Sequence, residues 1–188
     1  MALAKSSGIY GIKKLQIKKL LTDEIGSAPT YGSAVQIPGI KLLGMDKQIA
    51  NKESRGDEML IDTEDTLESI EITWDNVELP LLACEVIEAA VVATTGSAET
   101  EVNSMLEHAN AVSNYFKIEA IAKRGSNGVT GVMVELYKVR GTLTYSFRGE
   151  EFAVCSFKGK ALPVRGTVDT YANAIRKTSF GASQFTLS

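Results

Sequence analysis

Apolar residues occupy alternate positions over much of this chain. In GIKKLQIKKLLTDE, Leu15 and Ile17 alternate with Lys14, Gln16 and Lys18, a period of two that predicts a half-buried strand. Ile12, Leu15 and Lys19 also fit helical spacing, so a lysine-rich helix is the competing reading there. Over residues 66–74, TLESIEITW, Ile70, Ile72 and Trp74 face one way while Glu71 and Thr73 face the other, a strand with one wet face. The period then changes. Leu79, Leu82, Ala83, Val86, Ala90 and Ala93 recur three or four apart, with Glu85 and Glu88 opposite, Pro80 in the first turn and Gly96 at the stop. That predicts one amphipathic helix packed on a sheet. Val102, Met105, Leu106 and Ala109 predict a second short helix within 99–110.

The last third is β throughout. Phe116, Ile118, Ala120 and Ala122 share a face, and RGSNGVTG holds Asn127-Gly128, a hairpin signal. VMVELYKVRG, TLTYSFRGEE and FAVCSFKGKALP follow as short runs split by Gly141, Gly149 and Gly159. Short strands, tight turns and one helix predict an antiparallel β-sandwich or barrel, mainly β, with one flanking α-helix. Residues 1–7 form a flexible N-terminal arm in this reading, 8–164 the domain, and 165–188 an irregular C-terminal arm that needs a surface to lie on. Pro29, Gly32, Pro38 and Gly39 interrupt regular structure between the first strands.

Composition narrows the function. The chain has 188 residues, 44% hydrophobic and 23% charged, enough for one domain with a sizeable core. The richest apolar run, Leu79 to Ala93, contains Glu85 and Glu88, so no membrane span is predicted. MALAKSSGIYG has no apolar h-region, so no secretory signal is expected. Cys84 and Cys155 are expected as reduced, buried thiols, a disulfide being the alternative. His108, in EHAN, is expected on a solvated surface rather than as a general base. GSNGVTG lacks the lysine and the following helix of a phosphate loop. Asp57, Glu58, Asp62, Glu64 and Asp65 lack the ladder of alternate oxygens of a calcium loop and predict a solvated acidic loop. Neither catalytic residues nor a cofactor or metal are expected.

Charge is segregated along the chain. Residues 1–52 carry a net +5, residues 53–110 a net −14 and residues 111–188 a net +6. Lys13, Lys14, Lys18 and Lys19 lack the interleaved aromatics of a nucleic-acid surface. Opposite charge in separate segments suits pairing between neighbouring subunits.

Taken in order, GIKKLQIKKLLTDE, PTYGSAVQIPG, RGDEMLIDTEDTLESIEITW, ELPLLACEVIEAAVVA, YFKIEAIAKRGSNGVTGVMVELYKVRG and EEFAVCSFKGKALPV resemble the major tail tube proteins of long-tailed, siphovirus-type bacteriophages, from about Gly8 to Val164. The resemblance implies a β-sandwich with a flanking helix, and six copies in a ring. Stacked rings then make a virion tail tube through which genome DNA passes as cargo. It also implies assembly in the host bacterial cytoplasm. The implied partners are further copies of the chain, a tape-measure protein, tail-assembly chaperones, and tail terminator and baseplate or distal tail proteins. A tube-end, baseplate or contractile-system tube protein is the nearest alternative, and a monomeric β-sandwich binding module or hydrolase is a different one.

Under this resemblance Pro29, Tyr31, Gly32, Val35, Ile37 and Pro38 are subunit-interface candidates; Tyr31 and Val35 capping their own core is the competing reading. Asp57, Glu58, Asp62, Glu64, Asp65, Glu68 and Glu71 either line the lumen, where carboxylates keep DNA from sticking, or include an inter-ring loop that faces a basic patch.

Overall fold

The computed structural model describes residues 9–56, 59–76, 81–97, 102–124, 131–148, 151–180, 185 and 187. Strands dominate: β1 (Ile9–Thr22), β2 (Thr30–Gln36), β3 (Ile40–Gly56) and β4 (Met59–Asn76) precede the helix α1 (Leu81–Glu88). After it come β5 (Val91–Thr95), β6 (Val102–Leu106), β7 (Phe116–Arg124), β8 (Gly131–Arg148) and β9 (Glu151–Ala161), then the short β10 (Thr167–Val168), β11 (Tyr171–Ala172) and β12 (Arg176–Phe180). One eight-stranded antiparallel sheet runs in the order β2-β1-β7-β8-β9-β4-β3, with β12 added to β8; β5–β6 and β10–β11 are separate ribbons.

The expected barrel closure is absent. The sheet is open and ends on β2 and β3, which do not pair although only residues 37–39 separate them. The reason lies in where the two strands go. The Ile37 N–H donates to Leu15 O and keeps the end of β2 on β1, while β3 leaves with β4 as a long hairpin. Mainly β with one helix holds; sandwich or barrel gives way to an open sheet curled round one core.

Side chains from β1, β4, β7, β8 and β9 meet on the inner face, and Ala83, Cys84, Val86 and Ile87 of α1 plug it. The centre is aromatic. Trp74 stacks on Phe157 with ring centroids 3.8 Å apart, and Phe116 meets Phe157 edge-on at 5.7 Å. Burying each such side chain stabilises the fold by about 1.5–3 kcal/mol. Gly141 and Gly159 are opposite one another on β8 and β9 because the Phe157 ring lies over them: a Cβ on Gly159 would sit 2.5 Å from its Cζ. They therefore lie inside strands rather than splitting them, and the runs read as VMVELYKVRG and TLTYSFRGEE fall largely within the single strand β8.

The helix is shorter than its pattern. It ends at Glu88 because Ala89 turns to a positive φ of 56°, and the β-branched Val91 and Val92 pass into β5. Asn114 caps the end, its N–H donating to Ile87 O and its Nδ2 to Glu85 O. Glu88 then covers the edge of β8 beyond the reach of β7, accepting the Leu143 N–H at 2.7 Å. The second helix expected within 99–110 is instead β6, paired with β5. The interrupted stretch around residues 29–39 contains β2, and the acidic segment expected as a loop belongs to the β3–β4 hairpin. Between Arg165 and Phe180 the chain returns to its own sheet: β12 pairs β8, and Ile175 is buried. The first seven residues, Leu79, Pro80, the Asn127-Gly128 reversal and Gly149 lie outside the described residues.

Candidate functional site

The two ends of the sheet are chemically different surfaces. Among the described residues, β2 pairs only with β1, and β3 only with β4, so each presents one unpaired backbone edge. Of the interface candidates, three side chains point into their own subunit. Ile37 is 4% exposed in the core, Val35 packs against it, and the Tyr31 hydroxyl donates to Tyr137 O at 2.9 Å beneath Lys117. Pro29 and Gly32 are half-buried and Pro38 is exposed. What β2 offers a neighbour is therefore its backbone, with Ala34, Gln36 and Pro38 beside a groove of about 570 Å³ walled by Leu81, Leu82 and Val92.

The acidic residues split into two groups. The pairing of β4 with β9 stops at Ile70, so residues 48–56 and 59–69 pair only with each other among the described residues. They form an arm about 30 Å long at ~3.3 Å per residue. Residues 48–69 hold seven acids and two bases. Asp62 is opposite Ser54, Glu64 opposite Lys52, and Asp65, which is exposed, opposite Asn51. Glu68 is exposed at a bulge where the register slips between Gln48 and Ile49. Asp57 and Glu58 lie outside the described residues. Glu71 belongs to the body: its strand neighbours are Asp46 and Lys160, the lysine Nζ lying 3.8 Å away.

A basic trough, which the sequence reading missed, lies beside Glu71. Arg140 on β8 is opposite Lys160 on β9, and Thr142 opposite Lys158. They line a depression of about 520 Å³ walled by Tyr115, whose ring lies 5.4 Å from the Arg140 guanidinium. A second depression of about 490 Å³ shares Tyr115 and Arg140 and adds Lys138, Arg165 and Asp23. Asp23 is the anchor there. It takes Lys138 at 2.6 Å and the N–H groups of Arg165 and Gly166. Burial pushes its pKa up, but these donors outweigh burial and hold it below the usual range. Arg140 and Lys158 have no ion-pair partner among the described residues, and Lys160 has only the long contact to Glu71. The signal for this trough was the period of two in Lys138-x-Arg140 and Lys158-x-Lys160; which strands bring them together is a matter of register.

Groups with chemical potential elsewhere are few. His108 is exposed. Cys84 and Cys155 are buried and unbridged, and the Cys84 sulfur is 2.9 Å from the Tyr145 hydroxyl. Burial pushes the Cys155 thiol up to about 12, so it stays protonated and unreactive at neutral pH. Among the described residues, no group of three or more His, Cys, Asp or Glu side chains gathers where it could hold a metal ion. Neither a scan against protein-family models nor a search of the curated proteins finds a match to this chain.

Proposed function

We propose that this chain is a self-assembling structural subunit, and specifically that it builds the tail tube of a long-tailed bacteriophage. One observation carries the reading: an open sheet whose main path ends on two non-equivalent strands, β2 and β3, each paired on one side only among the described residues, as the short β12 also is. When β2 of one copy pairs with β3 of the next, the contact is heterologous, and a heterologous contact repeated at a suitable angle closes a ring. Ring closure also satisfies backbone groups that would otherwise template aggregation. Six copies per ring, and rings stacked around a tape-measure protein with chaperone help, give a tube that ends on terminator and distal tail proteins and conducts DNA passively. No chemistry is required of the subunit in this role.

The test is electron microscopy of the concentrated protein, together with size-exclusion chromatography and light scattering. Tubes or six-fold rings are expected. Lysines placed on the exposed edge positions, Ala34→Lys with Gln36→Lys, should leave a folded monomer. A wild-type protein that stays monomeric at every concentration, with and without its tail partners, would overturn the proposal.

A further inference from the structure

Resting on that reading of self-assembly, we propose that the trough formed by Arg140, Lys158, Lys160 and Tyr115 is the receptor for the acidic β3–β4 arm of a second copy. Three cations converge there, and among the described residues two of them lack an ion-pair partner while the third has only an exposed contact at 3.8 Å. The arm supplies the complement, seven carboxylates against two bases over residues 48–69. Asp65 and Glu68, its acids with described side chains, are both exposed. Carboxylates meet guanidinium and ammonium groups through charge-assisted hydrogen bonds, strongest where the arginine is bidentate.

The occupant has to come from elsewhere. Strand β4 continues from the arm, through the bulge at Glu68, to the trough wall at Glu71, so most of the arm lies along the strand beyond its own trough. At about 30 Å the arm is long enough to reach across a subunit contact. A nucleic acid is the less suitable guest. Glu71 and Asp23 stand among the cations and oppose a continuous run of phosphates, and among the described residues Tyr115 is the one aromatic in the lining of either depression. An arm that carries both signs of charge tolerates those two acids better.

Zero-length carbodiimide cross-linking of mixed isotopically light and heavy protein tests the contact directly. It joins a carboxylate to a lysine amine as an amide only where the two touch. Light-to-heavy links from acids of residues 53–68 to Lys158 or Lys160 are expected. Charge reversal gives a second measurement: Lys158→Glu with Lys160→Glu should cut stacking into tubes at least about tenfold, an effect of ~1.4 kcal/mol or more, while rings still form. Adding Glu64→Lys and Asp65→Lys to the same chain should restore stacking. Both lysines are exposed, so folding should survive the change.

Rings or tubes without these links, or tubes unaffected by the reversal, would overturn the trough proposal and leave self-assembly standing. A monomer with no links between copies would overturn both. If the reversal instead abolishes salt-sensitive binding of a duplex DNA oligonucleotide while tubes form normally, the trough serves nucleic acid and the proposal fails.

Discussion

Glu119 and Glu88 are two partly or fully buried carboxylates with opposite relations to pH. Glu119 is 2% exposed, on the face of β7 away from the aromatic core. Lys117 reaches its carboxylate at 2.6 Å and Lys18 at 3.2 Å, and Gln16 donates a further short hydrogen bond. Burial raises its pKa, but these partners more than reverse the shift and hold it below the usual range. A depressed folded pKa means that Glu119 stabilises the fold above the ordinary carboxylate range and loses that contribution as pH falls through the folded value. Glu119→Ala, which removes the carboxylate shared by Lys18, Lys117 and Gln16 while Lys117 keeps Glu135, should cost about 2 kcal/mol in urea unfolding, and Glu119→Gln should flatten the acid limb of the stability curve. Glu88 runs the other way. Burial raises its pKa, only partly offset by the Leu143 N–H and the nearby Tyr145 hydroxyl, and its Oε2 has no hydrogen-bond partner among the described residues. Its ionised form therefore opposes folding, and stability rises as pH falls from the folded pKa towards the unfolded one. Glu88→Gln keeps an acceptor for Leu143 and should raise the melting temperature at neutral pH; an equal or lower value would contradict the assignment.

Elements show which constraints are local and which come from pairing. Glycines inside β8 and β9 exist for the aromatic centre, so Gly159→Ala, whose Cβ would fall 2.6 Å from Arg140 O and 2.5 Å from Phe157 Cζ, should destabilise by about 2 kcal/mol or more in chemical unfolding. The arm should behave differently. Replacing residues 52–64 by a two-residue turn removes only strand that pairs with itself, so unfolding free energy should change by less than about 1 kcal/mol while tube formation is lost; a large loss of stability would place the arm inside the core. The same distinction decides what could be read beforehand. Ile70, Ile72 and Trp74 announced β4 because a one-sided strand writes its own alternation. In β2 the alternation was hidden, because Gly32, Ser33 and Ala34 carry little strand preference and Tyr31 turns towards Lys117 and Tyr137 while Val35, like Ile37 just beyond the strand, packs on the core. Val102, Met105 and Leu106 fit a helical face equally well, and pairing with β5 settled them as a strand. That the sheet stays open, and that the two basic strand faces meet in one trough, lay beyond local pattern. Nothing near Arg140 announces Lys160, twenty positions away, and nothing near Gln36 shows that β3 will turn to β4.

At the scale of the whole molecule, a net charge of −3 conceals an acidic arm and a basic trough held on one sheet. The two contacts proposed between copies differ in their physics, and salt separates them. Edge pairing between β2 and β3 rests on backbone hydrogen bonds and buried apolar surface, and screening touches neither strongly. Arm and trough meet through exposed charges, whose interaction is screened beyond ~10 Å at about 0.1 M salt and beyond ~3 Å at about 1 M. Sedimentation velocity across a salt series should therefore show long assemblies giving way to a discrete ring-sized species before any monomer appears. The truncated arm should give that ring-sized species at every salt concentration. If salt instead takes wild-type assemblies straight to monomers, or if truncation leaves long assemblies intact, then charge does not stack the rings and the arm has another task.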